Sequence, residues 1–169
     1  EIYTLSLHDA LPISSWKENK ILIVYCSTKH KNTENLIKSL KDKENITYLD
    51  ITNELNYDFD KLNEFQIIGF ASGIFMSKFH KNIYEFINKI PVQEQKPCFL
   101  CFTAGMNNKK FFNKIRHNVE DRGFKIIGEF NCPGFDTFGP LKLIGGINKN
   151  RPDNSDKQNF IDFINNLTV

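Results

Sequence analysis

The run Ile21-Leu22-Ile23-Val24-Tyr25-Cys26-Ser27, continuing as Thr28-Lys29-His30-Lys31-Asn32-Thr33, decides the fold. Its first part is continuously apolar and rich in β-branched residues, as in a strand buried on both faces of a parallel sheet. Its second part is a polar turn leading into a helix whose apolar face is Leu36, Ile37 and Leu40, with Thr33 placed to cap or begin it. The same alternation repeats along the chain. Ile46 to Ile51 and Gln66 to Ala71 read as strands two and three, Pro97 to Thr103 as strand four, and Phe124 to Phe130 as strand five. Phe79 to Ile90, Lys109 to Arg122 and Ser155 to Leu167 read as helices, the first stopped by Pro91 and the second by Gly123.

Strands alternating with helices predict an α/β three-layer sandwich, in which a five-stranded parallel sheet of order 2-1-3-4-5 carries helices on both faces. Such sheets bind ligands beyond the carboxyl ends of their strands, where the strand order reverses. The site is therefore expected just after Ser27 and just after Ala71.

Composition excludes several other classes. The chain has 169 residues, 40% hydrophobic and 25% charged, which fits a globular domain and excludes collagen, coiled coil and disordered tail. No apolar run approaches the roughly 18 to 20 residues of a membrane span, so no membrane partner is expected. The 22 Lys and Arg nearly balance 20 Asp and Glu, which predicts no nucleic-acid stripe. Four cysteines are too few for a secreted disulfide scaffold, and a cytoplasmic location is expected. Cys98 and Cys101 lie within one strand, where residues three apart point to opposite faces, so they read as buried thiols and not as a metal or redox pair. No metal site and no catalytic side chain is expected.

Residues 1 to 13 contain no Lys, Asn or Phe, in contrast to the rest of the chain. They resemble the in-frame translation of a common sequencing adapter, and residues 1–15 are expected to be non-native or disordered. The domain itself is expected to span residues 20–167.

The loop Ser27-Thr28-Lys29-His30-Lys31-Asn32-Thr33 gathers hydroxyls and backbone amides where a helix begins, the makings of an anion site. It lacks the glycine and Gly-Lys-Ser/Thr of a Walker loop, and it contains no glycine for a dinucleotide turn. Neutral donors without a metal partner suit a phosphate monoester.

The run from Ile23 to Thr33 resembles the flavin mononucleotide (FMN) phosphate loop of the flavodoxin family, especially its short-chain relatives with Ser-x-x-His-Gly-Asn-Thr. Further on, Phe70 to Ile74 with Lys78 to Lys81, and Cys132 to Pro140 with Ile144 to Gly146, resemble a bacterial flavodoxin-domain subfamily. The loop is one residue longer than in typical flavodoxins, and Lys31 stands where relatives have a glycine that permits positive φ.

The resemblance implies a flavodoxin-like fold, FMN as cofactor, and phosphate held by Ser27, Thr28, His30, Asn32 and Thr33, with Lys29 and Lys31 in the same loop. The flavin ring is expected between the loop after strand three, Ser72 to Lys78, and that after strand four, Thr103 to Asn108. The first contributes Ser72, Gly73, Ile74 and Phe75, the second Thr103, Ala104, Gly105, Met106 and Asn107. Against these roles stand plain capping for Ser27 and Thr33, a solvent position for His30, and ordinary packing for Phe75, Met76 and Met106. The stretch Gly134 to Gly146 reads equally as a cover for the flavin, a docking surface, or a connection to the last helix.

The implied function is an electron-transfer flavoprotein serving redox partner proteins. Its alternatives are an FMN-dependent NAD(P)H oxidoreductase reducing a quinone or other small acceptor, and a flavin-free regulatory or binding module of the same fold. The three expected site loops contain Lys29, Lys31, Lys78, Lys109 and Lys110 in or beside them and no acid, which predicts an electropositive site suited to acidic protein partners or an anionic nucleotide.

Overall fold

A computed structural model describes residues 19–169. The expectation for residues 1–15 lies outside the described residues. Strand β1 (Ile21–Cys26) is buried along its whole length and pairs in parallel with β2 (Ile46–Asp50) on one side and β3 (Ile67–Phe75) on the other. Beyond β3 come β5 (Lys96–Ala104) and β6 (Phe124–Pro133), giving the order β2-β1-β3-β5-β6. This is the expected order once the two-residue antiparallel strand β4 (Lys78–Phe79) is counted.

The side-chain period of two divides β1 between two cores. Leu22, Val24 and Cys26 face α2 (Lys81–Lys89) and α3 (Asn113–Asp121), while Ile21, Ile23 and Tyr25 face α1 (Asn32–Ile37) and α4 (Asn154–Asn165). Each fully buried Ile, Leu or Phe stabilises the fold by about 1.5 to 3 kcal/mol, so these two faces supply most of the driving force. The same alternation puts Cys98 in one core and Cys101 in the other, which separates the pair as expected. All four cysteines are buried and reduced, and burial pushes the thiols of Cys26 and Cys132 up to about 12.

Differences from the sequence reading lie at the element ends and in two of the connections. Strand three was expected to stop at Ala71, with a loop from Ser72 to Lys78. Instead β3 runs on to Phe75, turns at Met76 and Ser77, and returns as β4. Both turn residues have positive φ, 46° and 64°, which two-residue hairpins require but which Met and Ser do not advertise. Phe79 consequently belongs to the hairpin, and the helix starts only at Lys81, where the His80 ring nitrogen accepts from the Asn82 amide at 3.2 Å.

The expected helix Lys109 to Arg122 divides into a 3-10 turn, Lys109–Phe112, and α3. Strand five was expected to end at Phe130 and continues to Pro133. Between β2 and β3 a 3-10 turn, Phe59–Glu64, takes the place of a crossover helix, with the rings of Tyr57 and Phe59 packed 5.7 and 5.1 Å from that of Phe86. No helix among the described residues is long and apolar enough to cross a membrane.

Candidate functional site

The carboxyl ends of β1, β3 and β5, with the segment after β6, enclose a cavity of about 380 Å³. That volume lies within the roughly 300 to 1,000 Å³ of small-molecule sites. Its polar wall is the loop Ser27 to Thr33. Ser27 is held from both sides: its amide donates to Thr52 Oγ1 at 2.9 Å, and its Oγ accepts from the Glu34 amide at 3.0 Å. The Ser27 hydroxyl hydrogen is therefore left for another acceptor. Thr33 Oγ1 and Thr103 Oγ1 share a buried hydrogen bond of 2.9 Å that ties this loop to the end of β5.

Lys31 adopts φ 54° and ψ 27°, a left-handed conformation that favours glycine. Its amide donates to Thr28 O at 2.9 Å and its ammonium to Ser27 O at 3.1 Å, so the loop closes on itself without a glycine. The next two amides, of Asn32 and Thr33, open α1 and have no protein acceptor among the described residues.

The opposite wall is mostly apolar. It is formed by Gly73 to Ser77 of the hairpin, by Gly105, Met106 and Phe111, and by Phe135 to Phe138. Side-chain links seat this last segment and the chain that follows it. His30 Nε2 lies 2.9 Å from Thr137 Oγ1, with its ring 4.2 Å from that of Phe135. Asn32 Nδ2 donates to Phe135 O at 2.8 Å, and Asn148 Nδ2 to Gly105 O at 2.9 Å. Gly105 is needed for close approach, since a Cβ there would lie 2.5 Å from Asp136 Oδ2.

All of Ser27 to Thr33, Gly73 to Phe75 and Thr103 to Met106 line the cavity. Ser72 and Asn107 do not. The buried Ser72 hydroxyl donates to Gly73 O at 2.6 Å and accepts from the His80 amide at 2.8 Å, bracing the hairpin. Asn107 Oδ1 accepts from Asn131 Nδ2 at 2.6 Å, on the β6 side. His30, left open between phosphate and solvent, is partly buried and joined to the far loop.

Sequence reasoning missed Phe111 and left Gly134 to Gly146 undecided. The structure makes that stretch both a cavity wall and a connection toward α4. Its clustered glycines were a signal that the chain bends tightly there, but nothing local indicated which loops it meets. The three expected loops carry no acid, and Asp136 brings a carboxylate to the wall from this fourth segment.

No protein-family model matches the chain. The uncharacterized protein MJ0298 of Methanocaldococcus jannaschii is 39% identical over 150 residues, which cover 88% of this chain and 97% of that protein. Among solved structures, oxidised flavodoxin 1 from Bacillus cereus is similar with a TM-score of 0.60 at 12% identity, over 85% of this chain and 94% of its own. A protein described as an NADPH-quinone reductase, from P. pentosaceus, has a TM-score of 0.61 at 8% identity, over 86% and 95%. General stress protein 14 from Treponema denticola, solved in complex with FMN, has a TM-score of 0.59 at 8% identity, over 86% and 97%. At these identities the likeness establishes the fold, which is flavodoxin-like.

Proposed function

Because the chain belongs to the same family as the Methanocaldococcus jannaschii protein MJ0298 and has a flavodoxin-like fold, we propose that it binds FMN in this cavity and carries electrons between partner proteins. The observation that carries the reading is the polar wall. At the point where strand order reverses, the Ser27 hydroxyl hydrogen and the Asn32 and Thr33 amides stand ready to donate, and the left-handed turn at Lys31 leads the loop into α1. This donor set fits a phosphate monoester, and the apolar wall of Phe75, Met106 and Phe138 fits a planar aromatic ring.

In this reading Ser27, Thr28, Asn32 and Thr33 hold the phosphate, while His30 and Asn32 keep Phe135 to Thr137 in place as the far wall. Bound FMN supplies the one- and two-electron chemistry, and the protein orients it and sets the surrounding charge. Asp136 Oδ1 is engaged by the Phe138 amide at 2.8 Å, which fixes the one carboxylate of the wall.

The rival reading, an NAD(P)H oxidoreductase acting on a quinone or other small acceptor, is favoured by the exposed Lys29 and Lys31 at the mouth, which attract an anionic nucleotide. Purified protein should show the visible absorbance of a bound flavin and release FMN on denaturation. Rapid anaerobic mixing with NADH and NADPH should then leave that flavin oxidised. Fast reduction would establish the reductase instead. Absence of flavin absorbance together with failure of added FMN to bind would overturn both readings.

A further inference from the structure

Around the mouth of the cavity the protein exposes large apolar side chains that its own fold does not use. Met76 is 88% exposed at the hairpin tip, Met106 67%, and Phe138 76%. On the 3-10 turn Gly139–Ile144 that follows, Leu143 is 90% exposed and Ile144 72%. A patch of this kind marks an interaction site, because exposed apolar surface this concentrated stabilises nothing in the free protein.

Charge on the four segments that carry the patch is one-sided, while the flanking acids are Glu34, paired with Lys31 at 3.7 Å, and Glu54 and Asp58 on the loop after β2. Lys29, Lys31, Lys78, Lys109, Lys110 and Lys142 are all exposed on the same four segments, residues 27–33, 72–80, 103–111 and 134–147, where Asp136 is the one acid. Loops at the other end of the sheet mix signs, as in Lys41, Asp42, Lys43 and Glu44, or Glu120, Asp121 and Arg122. An apolar centre within a charged rim is the anatomy of a protein interface. A second copy docked by a two-fold axis would oppose lysine to lysine. An interfacial membrane surface would favour Trp and Tyr at its edge, and the patch has neither.

We propose that this face docks a redox protein through an acidic surface with an apolar centre. The proposal rests on the electron-carrier reading for the partner's being a redox protein, whereas the docking follows from the face itself. Leu143 and Ile144 form the main apolar contact, since neither lines the cavity and neither packs on the core. The lysines set the salt dependence and the approach.

The test titrates the full-length, isotope-labelled protein with a plant-type [2Fe–2S] ferredoxin and a rubredoxin as acidic probes, and with cytochrome c as a basic one. Backbone resonances of residues 138–144 should shift with both acidic probes, and affinity should fall about tenfold or more between low and physiological salt. The double variant Leu143→Ser/Ile144→Ser should weaken docking roughly tenfold with FMN affinity unchanged, and Lys109→Glu/Lys142→Glu should weaken it at low salt. If neither acidic probe binds, or cytochrome c binds more tightly, the docking proposal falls even in a protein that binds FMN. Binding to phosphatidylglycerol vesicles, lost in the Leu143→Ser/Ile144→Ser variant, would assign the face to a membrane and also overturn it. Docking without FMN binding would sustain the surface and overturn the electron-carrier reading alone.

Discussion

On one side of the cavity, seven consecutive residues, Ser27 to Thr33, build a polar wall in which Ser27 and Thr33 are held by Thr52 after β2, Glu34 of α1 and Thr103 of β5. The other side is assembled from the hairpin, the end of β5 and a segment after β6, and much of it is exposed. The contrast teaches that recognition of a small anion is a local property, set by residue types at fixed spacing. An apolar wall depends on which remote segments meet. It is the more easily loosened of the two, being held by a few long-range ties such as His30 to Thr137.

The largest effect should come from cutting the far anchor of the apolar side. The segment after β6 returns to the core at Arg151, whose carbonyl accepts from the Phe135 amide and whose guanidinium donates twice to Asp156, both at 2.6 Å. Asp156 also accepts from the Asp153 amide at 2.8 Å and completes the capping box of α4. Burial by itself would raise the Asp156 carboxyl, but Arg151 and the Asp153 amide outweigh it and hold the carboxyl below its usual range. A carboxyl lowered in the folded state contributes stability above its unfolded pKa and loses it as pH falls through the folded one. Asp156→Asn should therefore cost about 2 to 3 kcal/mol at pH 7, with the gap from wild type closing below about pH 4 in urea titrations. An equal gap at pH 3 would show that the cost is packing.

Ser27→Ala attacks the polar wall. It removes the donor left free in the native loop, and FMN should bind about 2 kcal/mol more weakly while riboflavin, which lacks the phosphate, is little affected in calorimetric titrations. Equal losses for both ligands would move the phosphate elsewhere. Asn32→Ala tests the tie between the walls, since its amide donates to Phe135 O and its side chain fits against Gly134, where a Cβ would lie 2.8 Å from Nδ2. A loss of about 1 kcal/mol in stability is expected, with amide exchange quickened at residues 135–138 and unchanged at 67–71.

The same division explains what the sequence made legible. Buried β-branched strands with intervening helices specify the sheet order, and the polar loop places Ser27 to Thr33 at the switch point, because both rest on residues close in sequence. The hairpin was hidden because Met76 and Ser77 take left-handed conformations without glycine or asparagine to announce them. Phe135 to Thr137 were hidden because their partners, His30 and Asn32, are more than 100 residues away. Ser72 and Asn107 were expected at the cavity because the resemblance implied a role for their whole loops, and which way each side chain turned depended on His80 and Asn131.

The smallest expected effect tests whether the polar wall is as local as its sequence suggests. In Lys31→Gly the left-handed backbone, which costs a non-glycine residue about 1 to 2 kcal/mol, is relieved. Against this, glycine adds about 0.5 to 1 kcal/mol of unfolded-state entropy. The variant also loses the ammonium bond to Ser27 O and the 3.7 Å ion pair with Glu34, whose lysine side chain is 56% exposed. An exposed pair of this kind is worth about 0 to 1 kcal/mol. These contributions nearly cancel, so stability should stay within about 0.5 kcal/mol of wild type in urea titrations. FMN affinity should be preserved or slightly tighter, since backbone conformation and not the ammonium shapes the donor set. A fall in FMN affinity of about tenfold or more at unchanged stability would instead make Lys31 a direct phosphate ligand, and the polar wall would then rely on charge as well as on neutral donors.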